Sequence, residues 1–375
     1  MLKGVYLTLM VGSPVVPLPV PQPVIEALKS VQVTNSKDRS GFQLTFTVGK
    51  TSPLQLVMLP AGYFDPIERR VVIIATMNGI PNVLMDGIIT RQDIGPSNDP
   101  GQSTLTITGE DLSVLMDVSE RQLPYPATPD AGKIAMILGQ YSLFGLRPTV
   151  VPPPSDVPAN ITKQTESQLS TDLAYIRGLA GRCGYVFYVE PGPFPLSSTA
   201  YFGPDLPEPV LEPALSVNMD WETNVDSLSF SLDGLAKKTV EIKILDPIFG
   251  RIPIPIPIPN ISPLHPPLGL RLTPPAKKVV SDKFAKLTAA QALKEAFGMT
   301  LAGADAITGQ GSLSVSRYGH IMRTRRIVGV RGAGLAYDGM YYINSVTHNI
   351  KEGEYKQSFT LSRDGLISQV PVVGP

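Results

Sequence analysis

At 375 residues, with 43% hydrophobic and 17% charged side chains, the chain is long enough for about two to four domains and too apolar to be disordered. Its 32 basic and 32 acidic residues cancel to a formal net charge of +0, which removes the electrostatic case for nucleic acid or an anionic membrane as the main partner. One cysteine, Cys183, excludes an internal disulfide and points to a reducing compartment during synthesis.

The 38 prolines are about twice the usual share and cluster, which predicts rigid linkers rather than broken helices. The amino terminus has a short apolar run behind Lys3, broken by Gly12 and Pro14, with no small-residue cleavage site after it. It reads as a strand or docking arm over residues 4–10, then a Pro-rich linker over 14–23. No stretch approaches the ~18 consecutive apolar residues of a membrane-spanning helix, so no membrane insertion is expected.

From residue 24 the pattern is β. Residues 27–34 read as a strand, and 41–48 alternate strictly, with Phe42, Leu44, Phe46 and Val48 inward. Residues 70–77 and 83–91 form a hairpin around Asn78-Gly79, a strong turn signal. Residues 103–108 follow, and Glu110-Asp111 open a short helix to Met116, where the helix dipole favours carboxylates. The period then changes. Ile134, Ile137, Leu138 and Tyr141 have helical spacing, with Gly145 as a stop. Thr165 and Gln168 resemble a capping box ahead of a helix over 169–182, whose stripe is Leu169, Leu173, Ile176 and Leu179. Cys183 falls at its end as a small buried hydrophobe. Residues 185–190 form the next strand.

A second β unit begins near Trp221, with strands at 227–233 and 240–245. Residues 251–275 interrupt it with IPIPIPIP at 252–259, an extended polyproline-like arm rather than a central strand. A helix is expected over 289–302, then strands at 312–316 and 327–331. The unit closes on a hairpin. Its second arm places Tyr355, Gln357, Phe359 and Leu361 on one face, and Lys356, Ser358, Thr360 and Ser362 on the other. Residues 103–113 and 357–368 can be laid side by side, a weak internal repeat.

Catalytic signals are sparse. There is no HExxH, CxxC, Walker loop or nucleophile elbow, and no cofactor or metal motif. Gly332-Ala333-Gly334 lacks the third glycine of a dinucleotide loop and reads as a turn. The three histidines, His265, His320 and His348, lack ligand spacing. Arg323, Arg325, Arg326 and Arg331 cluster beside a strand, as a solvated edge, a contact for an acidic partner or a pore lining.

The closing run YDGMYYINSVTHNIKEGEYKQSFTLSRDGL (337–366) resembles the tail-hub proteins of contractile-tailed phages and contractile injection systems, the late control D family. So do VQVTNSKDRSGFQLTFTVGK (31–50), TESQLSTDLAYIRGLAGRCGYVFYVE (165–190) and SVSRYGHIM (314–322). The likeness spans about 24–366. It implies an α+β, mainly β chain with two tube-protein-like β-barrel domains around an inserted α/β region. The expected division is an arm and linker (1–23), a first barrel (24–120), a middle α/β domain (121–215), a second barrel (216–250 and 305–368), a Pro-rich arm with helix (251–304) and a tail (369–375). It further implies a non-enzymatic homotrimer, made in the cytoplasm and assembled into the baseplate. That trimer would adapt a hexameric inner tube protein to a separate trimeric spike protein, line the central channel and contact other baseplate subunits. Edge pairing of strands and apolar burial would hold it together. Arg323, Arg325, Arg326 and Arg331, with the polar face Lys356, Ser358, Thr360 and Ser362, are the candidate interface. The rival reading is a carbohydrate-binding β protein of a tail periphery, which requires exposed aromatics on a sheet face.

Overall fold

The computed structural model of the chain describes residues 4–37, 39–99, 101–153, 167–208, 210–245, 253–257, 267–281 and 305–369. β1 (Val5–Gly12) and the short β2 (Pro17–Pro19) form one edge of the main sheet, and α1 (Gln22–Ala27) turns the chain inward. β3 (Leu28–Ser36) and β4 (Ser40–Val48) follow as an antiparallel pair. The alternation in β4 does what its spacing predicts: Phe42, Leu44, Phe46 and Val48 are all buried. β5 (Arg70–Met77) and β6 (Ile80–Gly95) close on Asn78 and Gly79, both at positive φ (52° and 82°) as a primed two-residue turn requires. β5 is buried almost throughout, because Val72 and Ile74 pack with Val83 on the side away from the main core, where Leu196 of the middle domain covers them. β7 (Ser103–Asp111) pairs with both β4 and β6, and Asp111 caps a 3-10 turn over Leu112–Met116 by accepting from the Ser113 amide at 2.9 Å.

The middle domain comprises β8 (Glu120–Pro124), α2 (Asp130–Gly139), β9 (Leu146–Val150), β10 (Ser167–Thr171), α3 (Asp172–Cys183), β11 (Val186–Glu190) and β12 (Ser198–Gly203). Ile134, Ile137 and Leu138 of α2 and Leu173, Ile176 and Leu179 of α3 pack on Phe187, Val189 and Phe202 of its three-stranded sheet. The start of α3 differs from the spacing argument. Residues 167–171 pair with β8, Leu169 points to solvent, and the helix is capped by the Thr171 hydroxyl, which accepts from the Ala174 amide. Gln168 is committed instead to Tyr125 (3.0 Å) and Asp172 (2.7 Å). Thr165 lies outside the described residues.

The second unit contains β13 (Leu211–Ser216), β14 (Ser227–Leu232), β15 (Lys238–Leu245), β16 (Pro253–Pro257), β17 (Gly269–Leu272), β18 (Lys277–Ser281), β19 (Ile307–Ser314), β20 (Ile327–Arg331), β21 (Gly339–Lys351), β22 (Glu354–Arg363) and β23 (Gly365–Ser368). The proline run is extended and not central, as expected, yet it is paired: β16 is an edge strand against β15, the position where missing donors are tolerated. The helix expected over 289–302 and the tail beyond 369 lie outside the described residues.

Both β units belong to one sheet. Its order runs β14-β19-β22-β21-β3-β4-β7-β6-β5-β1-β2, and the joint is the antiparallel pair of β21 (345–351) with β3 (30–36). One hydrophobic core runs beneath it, from Val31 and Leu44 to Val328, Tyr341 and Phe359. The first eight strands in that order repeat. β14, β19, β22, β21 and then β3, β4, β7, β6 follow the same rule of chain order and neighbours. The long strands β6 and β21 each carry a register shift, at Ile89/Arg91 and Ile343/Ser345. Only before the shift does each pair with an outer strand, β5 or β20; its pairing within the eight-strand run begins just ahead of the shift, at Gly87 and Tyr342, and continues beyond it.

Candidate functional site

The β21–β22 hairpin turns at Glu352-Gly353, with Gly353 at φ 72°. Tyr355, Gln357, Phe359 and Leu361 are buried. Gln357 clamps the chain ahead of β20 at both ends of its amide: Nε2 donates to the Met322 carbonyl (2.9 Å) and Oε1 accepts from the Met322 amide (3.1 Å). His348 Nδ1 lies 2.7 Å from the Tyr355 hydroxyl and 3.2 Å from Gln357 Nε2. Burial, reinforced by Arg323, pushes the His348 pKa down to about 3, so the ring is a neutral core group.

The polar face divides. Lys356 and Ser358 are exposed, and Thr360 is half-buried with its hydroxyl 2.7 Å from that of Ser345. Ser362 is buried and hydrogen-bonds Asp305 and Asn344. Lys356 pairs with Glu354 at 2.8 Å; that hydrogen bond raises the lysine pKa and lowers the glutamate's.

The four arginines turn inward to partners of their own chain. Arg325 is buried with its guanidinium 3.4 Å from the Tyr188 ring centre, and its Nη2 donates to the carbonyls of Ser36 (3.0 Å) and Lys37 (2.9 Å). Its Nη1 lies 3.8 Å from Glu190, whose pKa is raised by burial against the opposing pull of Arg325. Arg326 donates to Glu208 (2.8 Å) and Glu212 (3.0 Å), Arg323 donates to Asn82 (3.1 Å), and Arg331 donates to Ser216 (2.7 Å). His320 completes the cluster, 2.9 Å from Glu212. The cluster bolts β3, the middle domain and the β13–β20–β21 corner together.

Tyr188, Glu190, Glu208 and Glu212 escaped the sequence reading. The available signal was the outer face of β11, where Tyr188 and Glu190 put an aromatic and a carboxylate side by side and call for a covering cation. Trp221 is 89% exposed, on the 3-10 turn Asp220–Glu222 rather than on a sheet face. Cys183 is buried, and Gly332 and Gly334 form a turn at positive φ. No group of three or more His, Cys, Asp or Glu among the described residues is placed to hold a metal. Among the same residues no helix is long and apolar enough to cross a membrane. His265 lies outside them.

No protein-family model and no curated protein sequence matches the chain. Solved structures do. A tail protein from Neisseria meningitidis MC58 is similar with a TM-score of 0.60 at 14% identity, covering 97% of this chain and 98% of that one. The 43 kDa tail protein of prophage MuSo2 from Shewanella oneidensis gives 0.60 at 13% identity, covering 96% and 100%. The E. coli c3393 protein, a component of the type VI secretion system with similarity to the T4 bacteriophage tail proteins gp27 and gp5, gives 0.51 at 12% identity over 93% and 78%. Along nearly its whole length, the chain has the fold of these tail proteins.

Proposed function

We propose that the chain is a structural, non-enzymatic tail protein, a baseplate hub of the late control D type. Three copies form a ring that adapts a hexameric inner tube to a trimeric spike and contacts other baseplate subunits. The observation that carries this reading is the repeat within the eight-strand run, in a chain whose fold matches tail proteins from end to end. A trimer of two-repeat chains offers six quasi-equivalent units to six tube subunits, which one repeat per chain does not.

The joint between repeats also supplies a template for the joint between protomers. Within the chain, the part of β21 beyond its register shift pairs with β3. β6 beyond its own shift is the counterpart of that part of β21, and β14 is the counterpart of β3. Among the described residues, neither the side of residues 91–95 of β6 turned away from β7 nor the side of β14 turned away from β19 has a strand partner. β14, Ser-Leu-Ser-Phe-Ser-Leu, has no proline or charge to guard it. β6 of one protomer pairs with β14 of the next, head to tail, and the third copy closes the ring. The apolar face of the sheet lies on the core, so the polar face lines the hole.

Native mass measurement tests the reading. A species at three times 40.3 kDa, co-purifying with a tube or spike protein encoded beside it, is the expected outcome. A monomer at all concentrations that captures neither protein would overturn it.

A further inference from the structure

Resting on that ring, the geometry points to the chemistry of the channel wall: it is neutral by internal pairing, and it passes an extended polymer of either charge sign without holding it.

Strand register sets the wall out in rows. Ser312, Ser358, Thr347, Thr34 and Gly41 lie opposite one another across β19, β22, β21, β3 and β4. The next row is Ser314, Lys356, Asn349, Gln32, Gln43 and Thr108, running on to Arg91 of β6. A third holds Glu354, Lys351, Ser30, Thr45, Thr106 and Asp93. Hydroxyls and amides dominate, and the rows contain no aromatic ring on which a base or sugar could stack. Neighbouring hydroxyls satisfy one another across strands: Thr34 with Thr347 (3.2 Å), Ser345 with Thr360 (2.7 Å) and Ser227 with Ser312 (2.8 Å).

The charges set into these rows are matched locally. Arg91 pairs with Asp93 (2.7 Å), and Glu354 pairs with Lys356 (2.8 Å) and stands opposite Lys351 across the hairpin. Glu110, opposite Gly41, pairs with Arg39 (2.8 Å). A pair held at contact presents a dipole, whose field fades well inside the screening length of about 8 Å at physiological ionic strength. Retaining a nucleic acid requires cations free to displace its counterions, and retaining a basic polypeptide requires the converse. This wall offers neither.

The test uses the assembled full-length protein. Thr106→Cys and Ser358→Cys report first on where the face lies. Reaction with a small maleimide, but not with a bulky polymer-linked one, places it inside the ring; equal reaction with both sinks the ring itself. With the face inside, fluorescently labelled oligothymidylate and oligolysine are titrated at low salt. The wild type is expected to retain neither. Thr106→Lys is expected to raise oligothymidylate affinity about tenfold or more, and Thr106→Glu to do the same for oligolysine. Ser358→Lys and Ser358→Glu repeat the test on another strand should the Thr106 variants fail to assemble. Retention of either polymer by the wild type at the level of the matching charged variant overturns the proposal. So do charged variants that bind no more tightly than wild type.

Discussion

Arg70 forks onto Asp86 with two parallel hydrogen bonds of 2.6 Å, Nε to Oδ1 and Nη2 to Oδ2, in a site closed to solvent. The pair gathers three parts of the chain. Arg70 Nη1 donates to the carbonyls of Pro14 and Phe144, both at 2.8 Å, and the Ser198 hydroxyl donates to Asp86 at 2.9 Å. The amino-terminal arm, the β5–β6 hairpin and the middle domain therefore meet at this one ion pair. Arg70→Ala leaves a buried carboxylate and two carbonyls without their donor, and should cost about 3–5 kcal/mol. Denaturant unfolding checks this; a loss below about 1 kcal/mol would mean that water replaces the guanidinium.

Arg325 holds the other seam. Its removal exposes the Tyr188 face and strips a donor from the Ser36 and Lys37 carbonyls. Arg325→Ala should cost about 2–4 kcal/mol, and Arg325→Lys should recover little of it, because an ammonium can neither stack nor fork. Hydrogen exchange over residues 186–203 should quicken while β3 and β4 stay protected. Uniform quickening throughout the chain would refute a local bolt.

His348 gives a pH signature. Its folded-state pKa, about 3, lies below its ordinary 6.5, so folding excludes a proton that the unfolded chain binds. Stability is whole above pH 6.5 and falls as pH drops toward 3, by roughly 1.4 kcal/mol per unit. Between pH 6.5 and pH 5 the loss should be about 2 kcal/mol, and His348→Gln should flatten that window. Chemical denaturation at the two pH values measures both slopes; equal slopes would place the titration elsewhere.

The joint proposed between protomers takes its register from the joint inside the chain. Thr347 of β21 stands opposite Thr34 of β3, and Asn349 opposite Gln32. Counted from the two register shifts, which put Arg91 at the position of Ser345, the repeat places Gly95 of β6 at the position of Asn349 and Ser229 of β14 at the position of Gln32. Gly95→Cys with Ser229→Cys should therefore cross-link protomers on mild oxidation and yield dimers and trimers under denaturing, non-reducing electrophoresis. Cross-linking only within a monomer would exclude this joint.

Much of the β architecture was legible because a half-buried strand writes its period into the chain. β4 and β22 show the alternation outright, and Asn78-Gly79 marks its hairpin. β5 did not alternate in burial, since the middle domain covers its second face. The start of α3 was misread because Gln168 has the right residue type for a cap, while its side chain is spent on Tyr125 and Asp172. The arginines were visible as a cluster, but their partners were not. Arg325 reaches Ser36 across 289 residues of chain, a distance over which periodicity carries no information. The joining of β3 to β21 was hidden for the same reason, although the repeat that it connects left a trace in residues 103–113 and 357–368.

The register shifts in β6 and β21 mean that one unbroken backbone serves first an outer layer and then the eight-strand run. Antiparallel hydrogen bonds stand perpendicular to the strand. A pull along β21 therefore loads its bonds to β3 and β22 in shear, all together, instead of peeling them off singly. The strand behaves as a tendon: tension entering at the β20 corner, where Arg325 and Arg326 anchor it, is delivered through covalent bonds to the eight-strand run, and the weak contacts beside it yield only as a block.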